Sequence, residues 1–190
     1  MQRNETWPDQ AFWRGFRSRL WIGLALTLAI LAGWLAMLPA ESRDRMLSYW
    51  GRVKVSAPGL DLTPLMAAPW SVQVHVASAM AGLVVGIIIF LLPKGTGFHR
   101  LLGWTWVSAM ILVAATSIAM IVDLRGGINP LHIFTVVTVV SLWAGLTGIR
   151  HGNVRQHAAS MAGLYVGGLI IAGITAFIPG RMMWQVVFGG

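Results

Sequence analysis

Five uninterrupted apolar stretches divide the chain, at residues 20–38, 71–92, 101–122, 130–149 and 158–178. None contains Asp, Glu, Lys or Arg. Each is close to the roughly 20 residues a helix needs to cross a bilayer core of about 30 Å. Lipid offers backbone polar groups no partner, so each stretch is predicted to be a helix that satisfies its own hydrogen bonds. The polar positions gather in the short links 93–100, 123–129 and 150–157, which carry Gly95, Gly97, Gly126, Gly127 and Gly152. Links of that length make neighbouring helices antiparallel and adjacent. The pattern therefore predicts an all-α fold, a polytopic transmembrane helical bundle of five spans, with spans two to five (residues 71–178) forming a four-helix core. Residues 20–38 are the first transmembrane helix, 39–70 a long outer loop and 179–190 an outer C-terminal tail. In residues 1–19, Trp7, Phe12, Trp13 and Phe16 interleave with Arg14 and Arg17, as in a short amphipathic helix lying on the cytoplasmic membrane surface. Asn129 before Pro130 reads as an N-cap with proline at the first helical position, and Asn153 with Gln156 as a capping box.

Composition agrees with a membrane protein. The 190 residues are 56% hydrophobic and 11% charged, with a mean hydropathy of +0.70, more apolar surface than a soluble core of this size can hide. Glu5, Asp9 and the bulky Leu38 near any cleavage point favour an uncleaved anchor over a signal peptide. Of the 14 Lys and Arg residues, Arg3, Arg14, Arg17, Arg19, Lys94, Arg100, Arg150 and Arg155 fall on one side, whereas the short links opposite hold only Arg125 and Arg181. Arg43, Arg45, Arg52 and Lys54 of the long loop weaken this bias without reversing it. The bias places the N-terminus in the cytoplasm and the C-terminus outside, in a multi-pass protein of the cell inner (plasma) membrane. The net charge of +8 is accounted for by basic residues that flank spans and meet anionic lipid, so nucleic acid is not an expected partner and the lipid bilayer is. With no cysteine, disulfides, iron–sulfur clusters and thioether-attached haem are excluded. Trp21, Trp34, Trp70, Trp104 and Trp184 stand near segment ends, as in an interfacial aromatic belt.

Five histidines are present, and four of them fall at the ends of consecutive stretches: His75, His99, His132 and His157. In an up-and-down bundle His75 and His132 share one membrane face, His99 and His157 the other. Imidazole is the usual axial ligand of haem iron, and a buried imidazole without a partner is costly. The helical face running from His75 continues through Ala79, Gly82 and Gly86. Small residues beside a ligand admit a flat macrocycle, but the pairs Gly82/Gly86 and Gly163/Gly167 equally serve close helix packing. His151, beside Arg150, is expected to be solvated.

The residues Pro130, His132, Ile133 and Phe134, followed by Leu146, Gly148, Ile149 and Arg150, resemble the fourth core helix of the cytochrome b561 family. Lys94, Gly95, His99 and Gly103 resemble the entry to that family's third. The same features, with Arg155, His157 and Met161, also resemble a family of bacterial predicted membrane proteins, DUF2306. The b561 resemblance covers roughly residues 71–180 and implies a four-helix core holding two b haems, one between His75 and His132 and one between His99 and His157. The sixth helix usual in that family has no counterpart in this sequence. The family's inner basic site for ascorbate has Lys94, Arg100 and Arg150 as stand-ins.

These observations lead to an expectation of transmembrane electron transfer through two bis-histidine haems b, an oxidoreductase or electron-carrier role. Arg100 and Arg155 are the expected partners of the inner haem propionates and Arg125 of the outer ones, and Lys94 and Arg150 are expected to engage a cytoplasmic anionic or quinol donor, with an acceptor outside. A second copy of the chain is a further candidate partner. The alternative is a non-catalytic structural or assembly-partner membrane protein in which the glycines are packing residues and the histidines interfacial. A transporter is disfavoured because ionisable groups are missing from the middle of the spans. A zinc centre of His99, His151 and His157 would lack a carboxylate base.

Overall fold

A computed structural model of the chain describes residues 59–123, 130–178 and 181–188, with isolated positions between 25 and 48. A short helix α1 (Thr63–Met66) precedes the long helices α2 (Trp70–Leu91) and α3 (Gly97–Asp123). A 3-10 turn (Pro130–His132) leads into α4 (Ile133–Arg150). The last long rod is α5 (Val154–Leu164), a π-helical stretch (Tyr165–Ile171) and α6 (Ala172–Ala176), and α7 (Met182–Phe188) follows. Four of these rods are long and apolar enough to cross a membrane: Trp70–Leu91, Gly97–Ile121, Ile133–Arg150 and Val154–Ala176. Val84, Ile87, Leu91, Trp143 and Ile174 turn outward from them. Such apolar surface is costly in water and normal against lipid, so the chain is a multi-pass membrane protein.

The N-terminal surface helix expected over residues 1–19, most of the first span and the link 124–129 with Arg125 lie outside the described residues. Ala25, Ala29, Ala32, Gly33 and Ala36 of that span are helical, as are Ala40, Glu41, Asp44 and Ser48 within the 39–70 segment. Near the end of the same segment stands α1, and within the expected tail stands α7.

Helix ends differ from the expected ones for local reasons. Both α3 and α5 begin about a turn earlier than the apolar stretches, because polar residues extend them. The Thr96 hydroxyl accepts from the His99 backbone N–H at 3.1 Å, and the Asn153 side chain accepts from the Gln156 N–H at 2.9 Å. The reciprocal half of the expected capping box is missing, since the Gln156 amide donates to the Ala144 carbonyl at 3.0 Å and so ties α5 to α4 instead. Pro130 does not open α4 directly: its ring and the two residues after it form the 3-10 turn, and His132 is the N-cap. Between α4 and α5 the chain reverses through Gly152 at φ 72°, with Gly152 N–H on the Ile149 carbonyl (3.1 Å) and Asn153 N–H on the Gly148 carbonyl (2.8 Å). This is a Schellman ending, and its left-handed position suits glycine.

Helix α2 packs along α3 and α4 along α5, and the two hairpins meet through a core of Trp106, Val107 and Met110 from α3, Leu142 from α4, and Leu164, Tyr165 and Leu169 from the last rod. Gly82 and Gly86 admit that core to the α2 backbone. A β-carbon on Gly82 would stand 3.3 Å from Leu169, and one on Gly86 would collide with the Tyr165 ring. The Trp106 indole N–H donates to the Gly82 carbonyl at 3.0 Å and the Tyr165 hydroxyl to the Leu83 carbonyl at 3.2 Å. Each bond contributes about 1 kcal/mol and satisfies a polar group far from water. At the end where α2 begins, Gly59 and Asp61 donate backbone bonds to the Val187 and Val186 carbonyls at 3.0 and 2.9 Å, holding α1 against α7.

Candidate functional site

Three of the four spans carry one of the histidines singled out by the sequence, His132 lying in the turn just ahead of the other, and hydrogen bonds orient the rings of His75 and His157. On α2, His75 Nδ1 lies 3.1 Å from the Val113 carbonyl and 3.1 Å from Thr116 Oγ1, both on α3. A carbonyl only accepts, so Nδ1 carries the proton and donates. On α5, His157 Nδ1 lies 3.0 Å from the Gly145 carbonyl of α4 and donates in the same way. In the neutral form of either ring Nε2 is then a bare lone pair, the state in which imidazole binds a metal. A backbone bond at the opposite nitrogen is the usual support for a ligating histidine.

His99 stands in the first turn of α3 at the end of the bundle shared with the start of α5. His157 and Lys94 are the groups within electrostatic reach of it. Its Nδ1 is buried and has no hydrogen-bond partner among the described residues, a costly state for a polar nitrogen. The close approach of α4 and α5 sets the height of this site: a β-carbon on Gly148 would stand 3.1 Å from the His157 backbone nitrogen. His99 and His157 thus lie at the same end of the bundle. The bonds of His75 go to α3, and His132 is half-buried in the turn ahead of α4.

The basic residues ring the His99 end. Lys94, Arg100, Arg150 and Arg155 are all exposed, and the Lys94 ammonium donates to the Phe90 carbonyl at 2.6 Å, closing α2. His151 is exposed too and turns back on its own helix, Nδ1 lying 2.8 Å from the Thr147 carbonyl, apart from the His99 and His157 pair. Among the described residues no cluster of three or more His, Cys, Asp or Glu side chains is poised for a metal ion. Of the two imidazoles at this end, His157 has the Nδ1 support usual for a ligating histidine, whereas the Nδ1 of His99 has no partner among the described residues. At the other end the Nδ1 of His75 has support of the same kind.

Sequence reasoning missed Thr116, Trp106 and Tyr165. Trp106 had a signal, since it lies well inside its span and, unlike a belt tryptophan, must find a buried acceptor. Tyr165, a hydroxyl in mid-span, had the same signal. Thr116 had none, because threonines in membrane helices commonly bond their own backbone, as its hydroxyl also does to the Leu112 carbonyl at 2.6 Å.

A family model described as predicted membrane protein (DUF2306) matches residues 72–188, which take in the four described spans except Trp70 and Ser71, α7 and the five histidines. No curated protein and no solved structure matches the chain.

Proposed function

The chain belongs to the DUF2306 family of predicted membrane proteins, and from that premise we propose that it is a membrane electron carrier built to hold two b haems. The observation that carries the reading is the His157 ring, whose Nδ1 proton is committed to the Gly145 carbonyl at the same end of the bundle as the buried Nδ1 of His99, which has no partner among the described residues. The bound iron would supply one-electron chemistry with no open coordination position. His99 and His157 would hold it, and Arg100 and Arg155 would supply cations for its propionates. At the outer end His75 presents Nε2, and His132 is its partner by the b561 likeness. The charge bias puts the His99 end in the cytoplasm of a cell with the protein in its inner membrane, so Lys94 and Arg150 face an anionic or quinol donor there, and the acceptor lies outside.

The test is the haem-to-protein ratio of purified protein, followed by single substitutions. Two haems are expected in the wild type. His99→Ala and His157→Ala should each lose the same one and keep the other, and His75→Ala and His132→Ala should show the complementary loss. His151→Ala should keep both. Full haem content in all four single mutants, or none in the wild type with haem in excess, refutes the reading.

A second reading, a structural or assembly-partner protein without cofactor, is favoured by one observation. The bare face of α2 at Gly82 and Gly86 is filled by Leu169, Tyr165 and Trp106 of the chain itself. A folded, colourless protein in detergent would select it.

A further inference from the structure

We infer that residues 59–70, the segment that carries α1, lie on the membrane at the end of the bundle where α2 begins and bind the headgroup edge of that leaflet through Leu60, Leu62, Met66 and Trp70. These four side chains are 75%, 47%, 68% and 62% exposed, and grouped apolar residues left outside a core mark an interaction surface. Pro64 and Leu65 between them are half-buried, and α1 is held against α7. The segment therefore has one side on the protein and one side to offer.

Two observations make lipid the occupant. Trp70 heads the outward stripe of α2, which runs on through Ala77, Met80, Val84, Ile87 and Leu91, all exposed and spaced as one helical face. That stripe is the lipid side of a span, and a tryptophan at its end settles at headgroup level. The Gln73 amide donates to the Met66 and Ala68 carbonyls at 3.1 and 2.8 Å, so α1 is tied to the first turns of α2 and shares their height. The other observation is the backbone of the segment. Met66, Ala67 and Ala68 donate to the Leu62, Thr63 and Leu65 carbonyls, Thr63 to the Asp61 carboxylate at 2.9 Å, and Gly59 and Asp61 to α7. A loop in water can leave such groups to solvent, whereas one at the edge of lipid must pair them. Asp61 is the one ionisable residue of the segment, which holds it at the interface and out of the acyl interior.

The chain has no cysteine, so single spin labels can be placed through Leu62→Cys, Met66→Cys and, as a mid-span reference, Met80→Cys. The full chain is reconstituted in vesicles of phosphatidylcholine and phosphatidylglycerol, and collision of each label with oxygen, which concentrates in lipid, is compared with collision with a water-soluble nickel chelate. Oxygen should dominate at Leu62→Cys and Met66→Cys, by less than at Met80→Cys. Adding Met66→Glu to the Leu62→Cys protein should raise nickel access and lower oxygen access, because a carboxylate is driven from the interface. Dominant nickel access at both sites puts the segment in water and overturns the inference. Shielding from both reagents shows a protein cover, which mutual broadening of the labels would identify as a second copy, and either result overturns it too. So does a Met66→Glu protein with unchanged access. None of these readouts involves haem, so they leave the electron-carrier reading to its own test.

Discussion

The bundle contains two glycine pairs of the same spacing, and they have opposite fates. At Gly82 and Gly86 on α2 the missing side chains are replaced by Leu169, Tyr165 and Trp106, and the exposed carbonyls of Gly82 and Leu83 take hydrogen bonds from the indole and the phenol. At Gly163 and Gly167 on the last rod an added β-carbon would meet nothing within 4 Å. A small-residue motif is thus a permission for close approach. Whether anything approaches depends on which partner helix brings large side chains to the same height.

The comparison breaks most visibly at Gly86. Gly86→Val should expel the Tyr165 ring, lose its bond to the Leu83 carbonyl and destabilise the folded bundle by about 3 kcal/mol, the upper end of overpacking costs. Unfolding in detergent, followed by the fluorescence of the tryptophans, measures it, and a loss under about 1 kcal/mol would show that the ring has room to step aside. A smaller change sharpens the comparison by separating shape from hydrogen bonding. Trp106→Phe keeps an aromatic ring against α2 and removes the indole donor. It should cost about 1–2 kcal/mol, one buried bond plus part of a ring. Gly163→Ala is the control with the smallest effect and the opposite sign, a stabilisation of up to about 1 kcal/mol from helix propensity alone. A marked destabilisation there would mean that this face is covered in the membrane by a helix outside the described spans.

The four described spans were legible because continuous apolar runs in lipid have one backbone solution. Their ends were less so. Apolar runs stop at the bilayer, whereas α3 and α5 continue to wherever Thr96 and Asn153 can cap them. The π-helical stretch from Tyr165 to Ile171 left no trace in the apolar pattern, since the wider turn is decided by packing against α2 and α4. Of the candidate site, the placement of His99 and His157 at one end of the bundle followed from alternating helix direction. The contacts of the rings did not. That His75 reaches to Thr116 depends on the rotation of α2 about its own axis, which the glycine contacts with Trp106 and Tyr165 fix and which no spacing rule supplies.

The backbone bonds from Gly59 and Asp61 to Val187 and Val186 also order events during synthesis. They join the approach to α2 with α7, so they cannot form until the chain has been made through residue 187. Hairpins α2–α3 and α4–α5 connect neighbours in sequence and are free to form as each enters the bilayer, in keeping with domains that assemble in order of translation. The clasp of α1 on α7 comes afterwards. Among the described elements it makes the end of the bundle that holds His75 the last to close, so a chain cut short before residue 186 would carry both hairpins without the bonds that join their ends.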